Sequence, residues 1–281
     1  MTRLLHPELI DRIPLAGHQI KQELIFRVAE VTNAAFSQPD PNVSIVIRSR
    51  NNADQLEMLF DDIDKQDFSG EREVIVVDTE STDGTPALAR SLGATLLSIS
   101  QSDFNYPRSL NLGFDAASHP WVFSFVDHSL FTNTHTLQTA TRWNQQSDVA
   151  GAYGSVLPNR NATPNELVWS GLLQAKYFRQ SAAPATPKMG FMQTNAGLFR
   201  REAWQEAGKF DEAYAAGGED GAIGRKFIEA GMTVISEPAL TVFHSHGLHL
   251  LQTIKQFKYW SSLDSPQAFS QGRLARYRRG A

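Results

Sequence analysis

Apolar positions along this chain fall into two kinds of pattern. Short unbroken runs, Val43-Ser-Ile-Val-Ile47, Glu73-Val-Ile-Val-Val-Asp78 and Trp121-Val-Phe-Ser-Phe-Val126, read as strands covered by helices on both faces, as in a parallel sheet. Stripes at three-to-four spacing read as helices, and Leu56, Leu59, Phe60 and Ile63 share one side of the segment 55–63. Strand, helix and strand over 43–78 make a right-handed crossover unit. A second unit repeats it, with a helix over 86–92 stopped by Gly93 and a third strand over 94–99. Downstream, the pattern predicts helices ending near Ala117 and spanning 137–143, 201–207 and 223–230. It predicts strands over 149–156, 194–199, 233–235 and 239–243. The turn-rich stretch 158–187 is expected to hold a helix across 167–178. At the start, Ile20, Leu24, Ile25, Val28 and Val31 predict a helical extension within 1–42. At the end, Leu251, Ile254, Phe257 and Trp260 stripe a helix over 248–263, for which core packing is preferred to an acceptor-facing or membrane-facing surface. The organisation read from the pattern is therefore three parts: the extension 1–42, an α/β domain over 43–247, and an amphipathic helix with a basic tail over 248–281.

Composition removes several classes of chemistry. The 281 residues contain no cysteine, which excludes disulfides, thiolate zinc sites and cysteine nucleophiles and leaves oxygen or imidazole for any metal. A hydrophobic content of 41% is enough to build a core. A formal charge of −4 gives no general attraction to nucleic acid, although 273–279 is locally basic. The sequence contains no apolar run of membrane-spanning length, and Arg3, His6, Glu8 and Asp11 stand where a signal peptide would be apolar. A cytoplasmic protein is expected, with peripheral contact at the inner face of the membrane left open by the Trp260 helix.

Polar residues that carry chemistry gather where the strands end. Asp78 closes the second strand at the carboxyl edge, where open α/β sheets bind ligands, and Ser81, Thr82 and Asp83 can cap the helix that Pro86 helps to start. Asp127 and His128 follow the fourth strand; they could bind a divalent ion such as Mg²⁺ or Mn²⁺, or equally cap a turn. Gly217-Gly218-Glu219-Asp220 precedes a predicted helix, and one of its two acids could accept a proton from a hydroxyl, with a helix cap as the rival role for Asp220. In Phe243-His244-Ser245-His246, strand alternation would place both imidazoles on one face. Two histidines at this spacing are more often structural, but together the clusters offer metal ligands, a base and an acidic edge loop. A metal so held would neutralise a diphosphate leaving group. Trp169, Tyr177, Phe178 and Phe191 could stack on a sugar, with packing as the preferred reading.

These segments resemble glycosyltransferase family 2, whose members have the GT-A fold. The pieces are Val43 to Asn51, Glu73 to Thr85, Arg108-Ser-Leu-Asn111-Leu-Gly113, Asn195 to Arg200, Gly208 to Glu212, Gly218-Glu-Asp220 and His244-Ser-His246, in family order. The resemblance implies a mixed, mostly parallel sheet flanked by helices. It also implies inverting transfer of a sugar from a nucleotide-diphosphate donor to a carbohydrate, lipid-linked or small-molecule acceptor. On the same basis Arg48, Arg50 and Asp78 hold the nucleoside, and Arg108 and Asn111 belong to the donor site. Asp127 and His128 occupy the metal-binding Asp-x-Asp position, Asp220 is the general base beside Glu219, and His246 with His244 supplies a late metal or diphosphate contact. The chain departs from the family in reading Val126-Asp127-His128, without the first carboxylate. His128 could still bind the ion with His246, since imidazole suits Mn²⁺ better than Mg²⁺. The altered motif also suggests an alternative, a sugar-nucleotide or glycan-binding module with little or no catalysis. A nucleotidyltransferase ranks below both, because 48–52 has no glycine to cradle a triphosphate.

Overall fold

A computed structural model describes residues 39–159, 162–166, 190–214 and 217–255. The N-terminal extension up to 38, the expected helix over 167–178 with Trp169, Tyr177 and Phe178, and the tail from 256 lie outside the described residues. Seven strands form the main sheet: β1 (Val43–Ser49), β2 (Arg72–Asp78), β3 (Thr95–Ser98), β4 (Trp121–Val126), β6 (Val149–Tyr153), β8 (Ala196–Arg200) and β9 (Thr233–Ser236). Their order is β3-β2-β1-β4-β8-β6-β9. β1 pairs in parallel with β2 and β4, and β2 with β3, whereas β8 runs antiparallel to both β4 and β6. A second sheet, β5-β10-β7, joins β5 (Leu130–Phe131), β7 (Val156–Leu157) and β10 (Val242–Phe243).

Among the described residues, six helices cover or flank the main sheet: α1 (Ala53–Asp64), α2 (Thr85–Ser91), α3 (Tyr106–Ala116), α4 (Thr139–Asn144), α5 (Arg201–Glu206) and α6 (Glu219–Glu229). Alternation along β1 sends Val43, Ile45 and Ile47 into one core with Leu56, Leu59 and Ile63 of α1, and Val46 into the other with Leu110 and Phe114 of α3. Burial on both sheet faces is why these strands are apolar without a break. In the second core Phe114 packs against Phe199, Trp204 and Phe210 with ring centroids 5.3, 5.1 and 5.2 Å away.

Of the three residues expected to cap α2, only Asp83 bonds one of its first amides; the Ser81 hydroxyl accepts from the Asn51 amide at 2.8 Å and the Thr82 amide donates to Asn51 Oδ1 at 2.7 Å. Pro107 sits in the first turn of α3, and the side chain of Asn105 caps it by accepting from the Arg108 amide at 2.6 Å. Asp83 does similar work for two helices, accepting from the Thr85 amide at 2.9 Å and from the Ala53 amide at 3.3 Å. Several boundaries differ from the expectation. β1 extends beyond the expected end at Ile47 through Arg48 and Ser49, because Arg48 continues the ladder to both β2 and β4 and Ser49 continues the ladder to β2. The single strand expected over 149–156 is split between the two sheets, and only Val242–Phe243 of the strand expected over 239–243 is extended, after a 3-10 turn at Pro238–Leu240. Residues 250–255 are helical, as expected, but Leu251 is 74% exposed and Ile254 42% exposed, so this part of the stripe does not pack into the core. No helix among the described residues is long and apolar enough to cross a membrane.

Candidate active site

In the order β3-β2-β1-β4, the chain leaves β1 towards β2 on one side and reaches β4 only later on the other. The crevice beyond the carboxyl ends of β1 and β4 is thus a topological switch point, where open α/β sheets bind ligands. An open cavity of about 380 Å³ lies there. Its walls are Arg48, Ser49, Arg50 and Asn52 at the end of β1, Thr79 after β2, Gln101, Phe104 and Tyr106 around the start of α3, and Val126, Asp127 and His128 at the end of β4 and just beyond it. Register explains the convergence: Ser49 lies opposite Asp78, and Arg48 lies opposite Val126, so all three strand ends open onto one rim.

Asp127 is the most heavily bonded residue of this rim. Its Oδ2 accepts from the Ser49 hydroxyl at 2.7 Å and the Arg50 amide at 3.2 Å, and its Oδ1 from the Asn52 side chain at 2.9 Å. Oδ1 also lies 2.7 Å from His128 Nδ1; as a carboxylate can only accept, that nitrogen carries the proton. His128 Nε2 is then the free lone-pair nitrogen, and it is buried without a partner.

The small sheet brings the other two imidazoles to it. Phe243 pairs antiparallel with Leu130, so the chain beyond β10 runs back alongside 129 and 128. The ring of His244 stacks on that of His128 at 4.4 Å, and His246 meets His128 edge-on at 5.2 Å. His244 Nε2 and His246 Nε2 are 3.2 Å apart. One ligand nitrogen from each of the three histidines can be chosen so that all lie within 4.8 Å of one another. Burial, followed by the neighbouring imidazoles, holds His244 well below the usual imidazole pKa, and burial followed by His128 lowers His246. Both are therefore neutral, the form that binds a metal. The residues fit a divalent ion by donor type and by the unpartnered Nε2 of His128.

Glu219 and Asp220 occupy the first turn of α6 rather than preceding it, since the helix begins four residues earlier than its apolar stripe indicates. Gly218 caps it at φ 93°, a left-handed conformation that favours glycine. Glu219 is buried, with one carboxylate oxygen 3.5 Å from the Thr194 hydroxyl and the other unpartnered. The Asp220 pKa is pushed up to about 7, first by burial and then by the Glu219 carboxylate, with the Gly221 amide and Arg48 acting in the opposite direction. Arg48 completes the group. Its guanidinium lies 5.0 Å from the Tyr106 ring centroid and feels Glu219, Tyr106, Asp220 and Asp127, while burial draws its pKa down and its Nε has no partner.

Of the residues singled out from the sequence, Arg48, Arg50, Asp127 and His128 line the cavity, His244 and His246 join His128, and Asp220 with Glu219 stands near Arg48. Asp78 is buried at the same rim, one oxygen accepting from the Ser81 amide at 3.0 Å and the other free. Arg108 and Asn111 are engaged elsewhere. Arg108 pairs with Glu212 at 2.9 Å and with the Asp103 carbonyl, and the Asn111 amide clamps both backbone groups of Phe210 at 2.9 and 3.1 Å. Ser49 and Asn52, the donors to Asp127, and Tyr106, under Arg48, did not stand out in the sequence, because serine, asparagine and tyrosine are common in such loops. Phe191 is 40% exposed and packs edge-on against Tyr153 at 5.2 Å.

The mixed, mostly parallel α/β sheet flanked by helices has the GT-A fold, which solved glycosyltransferase structures share. The mannosyltransferase PcManGT from Pyrobaculum calidifontis, in complex with GDP-Man and Mn²⁺, matches with TM-score 0.55 at 21% identity, over 84% of this chain and 68% of that one. S. aureus TarS 1-349 in complex with UDP-GlcNAc matches with TM-score 0.54 at 18% identity, over 74% of this chain and 60% of that one. The protein-family model for glycosyl transferase family 2 matches residues 44–207, more than half of the chain, and the chain belongs to that family. It is 23% identical over 196 residues to the O-antigen chain rhamnosyltransferase WbaN of Salmonella anatum, a match covering 66% of this chain and 60% of the relative's length.

Proposed function

We propose that this chain is an inverting glycosyltransferase that moves a sugar from a nucleotide-diphosphate donor to an acceptor hydroxyl. The observation that carries the proposal is Asp220, a carboxylate with its pKa raised to about 7, set beside Arg48 at the rim that also holds the cavity and three imidazoles. A base poised near neutrality can take a proton from a hydroxyl at working pH and release it afterwards. As the acceptor oxygen attacks the anomeric carbon in line, Asp220 removes its proton and the bond from that carbon to the diphosphate oxygen breaks, inverting the centre. The cavity receives the nucleoside, with Arg50 in its wall and Asp78 buried at the strand end behind Thr79, and Arg48 stands where charge grows on the leaving diphosphate. A divalent ion, Mn²⁺ or Mg²⁺ in the family, would be held by His128, His244 and His246 and would add Lewis-acid neutralisation of the diphosphate.

Support for a sugar nucleotide comes from the relatives, one a rhamnosyltransferase, one bound to GDP-Man and Mn²⁺ and one to UDP-GlcNAc. The acceptor class is a carbohydrate, lipid-linked or small molecule. Exposed Leu250, Leu251 and Ile254 leave a peripheral contact with a cytoplasmic membrane face available to it. The GT-A unit is assigned to 43–247, between the two terminal segments. Asp220→Asn is expected to lower kcat by about 10²–10⁴-fold while the donor Kd stays within about twofold. Undiminished turnover removes Asp220 from the role. If the unaltered protein releases no nucleoside diphosphate with Mn²⁺ or Mg²⁺ and an acceptor panel, the alternative stands instead, a sugar-nucleotide-binding module, which the missing first carboxylate at Val126 would then explain.

A further inference from the structure

An ionised carboxylate has about four lone-pair positions, two on each oxygen. Asp127 uses all four, on Ser49 Oγ, the Arg50 amide, Asn52 Nδ2 and His128 Nδ1. Metal ligation would have to break one of these bonds in a residue that is only 4% exposed. The same bonds do something else: they fix the His128 tautomer and ring plane with Nε2 turned away, buried and without a partner. A carboxylate on the far nitrogen of a metal-binding histidine is the usual way a protein orients such a ligand and raises its basicity.

His244 and His246 supply the other donors. Two imidazole nitrogens bound to one ion at about 2.1 Å stand about 3.0–3.4 Å apart, and the Nε2 atoms of His244 and His246 are 3.2 Å apart. A proton shared between those two rings would explain that pair but leaves the buried His128 Nε2 unexplained. One ligand nitrogen from each ring can be chosen so that all lie within 4.8 Å of one another, so ring rotations that shorten the widest separation by about 1.5 Å close the set around an ion.

We infer that the ion site is built from the three imidazoles of His128, His244 and His246, with Asp127 as the positioning residue for His128 and not a ligand, and that it selects transition ions over Mg²⁺. Imidazole is a borderline donor, whereas Mg²⁺ favours oxygen ligands and gives up water reluctantly. The affinity order expected is Mg²⁺ far weakest, then Mn²⁺, Co²⁺ and Zn²⁺, following the general order for nitrogen sites. This rests on the metal-assisted reading of the site given above; it adds the part of Asp127 and narrows the ion.

The test uses the full chain, freed of metal by a chelator and titrated with CoCl₂, MnCl₂, ZnCl₂ and MgCl₂ by calorimetry, with Co²⁺ also followed by its visible absorption. One Co²⁺ per chain is expected, bound at least about 100-fold more tightly than Mg²⁺, with Mg²⁺ failing to displace it. His246 is the exposed member of the trio, so His246→Ala should melt like the unaltered protein without metal and lose the Co²⁺ band. Asp127→Asn, which keeps an oxygen to accept from His128, should keep the band and bind Co²⁺ about 10–100-fold more weakly. Mg²⁺ binding within tenfold of Co²⁺ overturns the inference, as does a Co²⁺ band that survives His246→Ala. Loss of the band in a normally melting Asp127→Asn makes Asp127 a ligand and also overturns it. Should Asp127→Asn fail to fold, the competition between Mg²⁺ and Co²⁺ on the unaltered protein still decides. None of these readouts involves a donor or turnover, so the assignment of Asp220 as base stands or falls separately.

Discussion

Asp220 changes charge close to neutral pH, and both the reaction and the fold feel the change. The pKa is up to about 7 because burial and the Glu219 carboxylate penalise the ionised form more than Arg48 and the Gly221 amide favour it. A base must be unprotonated, so kcat/KM should rise about tenfold per pH unit below 7 and level off above it, a course that an initial-rate pH profile checks. Stability moves in the other direction. A carboxyl whose folded pKa lies above its unfolded value of 3.8 binds its proton more tightly in the native state. Stability is therefore lost as pH rises from that ordinary value through about 7. Asp220→Asn removes the loss, so it should melt above the unaltered protein at pH 8 and draw level near pH 4. That trade, stability given up to hold a reactive carboxylate, is common at catalytic positions.

At the scale of elements, the position of Asp220 depends on how α6 is seated. Ile223 and Phe227 anchor the helix in the second core, and Gly224 packs it backbone to backbone against Gly190. A Cβ at Gly190 would lie 2.1 Å from the Gly224 carbonyl oxygen and 2.4 Å from its carbon, and neither can move without the helix. Gly190→Ala is accordingly expected to cost about 1–3 kcal/mol in urea unfolding and to lower turnover as well, since α6 carries Asp220, the proposed base. Unchanged stability and rate together would show that this contact does not set the helix. The small sheet plays the corresponding part for the imidazoles. Without the pairing of Phe243 with Leu130, His244 would not be returned to His128 across more than a hundred residues of chain.

Across the whole molecule, two cores on opposite faces of one sheet hold β1 rigid between β2 and β4, and the cavity opens at the end of that strand. A nucleoside diphosphate that fills it should stabilise the native state by about 2.7 kcal/mol at a hundredfold excess over Kd, raising the melting temperature by about 5–10 °C in a domain of this size. A panel of nucleoside diphosphates with Mn²⁺, none of which shifts the melting curve, would remove the nucleotide from this cavity. Much of this arrangement was legible in the residue order. Runs such as Val43 to Ile47 and Trp121 to Val126 mark buried strands because a strand covered on both faces has no polar side to show. Acidic and imidazole clusters at their ends mark the rim, because the carboxyl edge of such a sheet is where side chains from distant segments meet. Hydrogen-bond partners were not legible, because they depend on register between segments far apart in the chain. Ser49, Arg50 and Asn52 reach Asp127 from 75 to 78 residues away, and only the pairing of β1 with β4 brings these donors to the carboxylate that also bonds His128 Nδ1. Arg108 and Asn111 went the other way, drawn to Glu212 and Phe210 from about a hundred residues along. Which residue types bear the chemistry is thus a property of local sequence, where patterns of two to four residues decide; which atoms face one another is a property of tertiary structure, because lone pairs are assigned by whatever donors the fold brings within 3 Å.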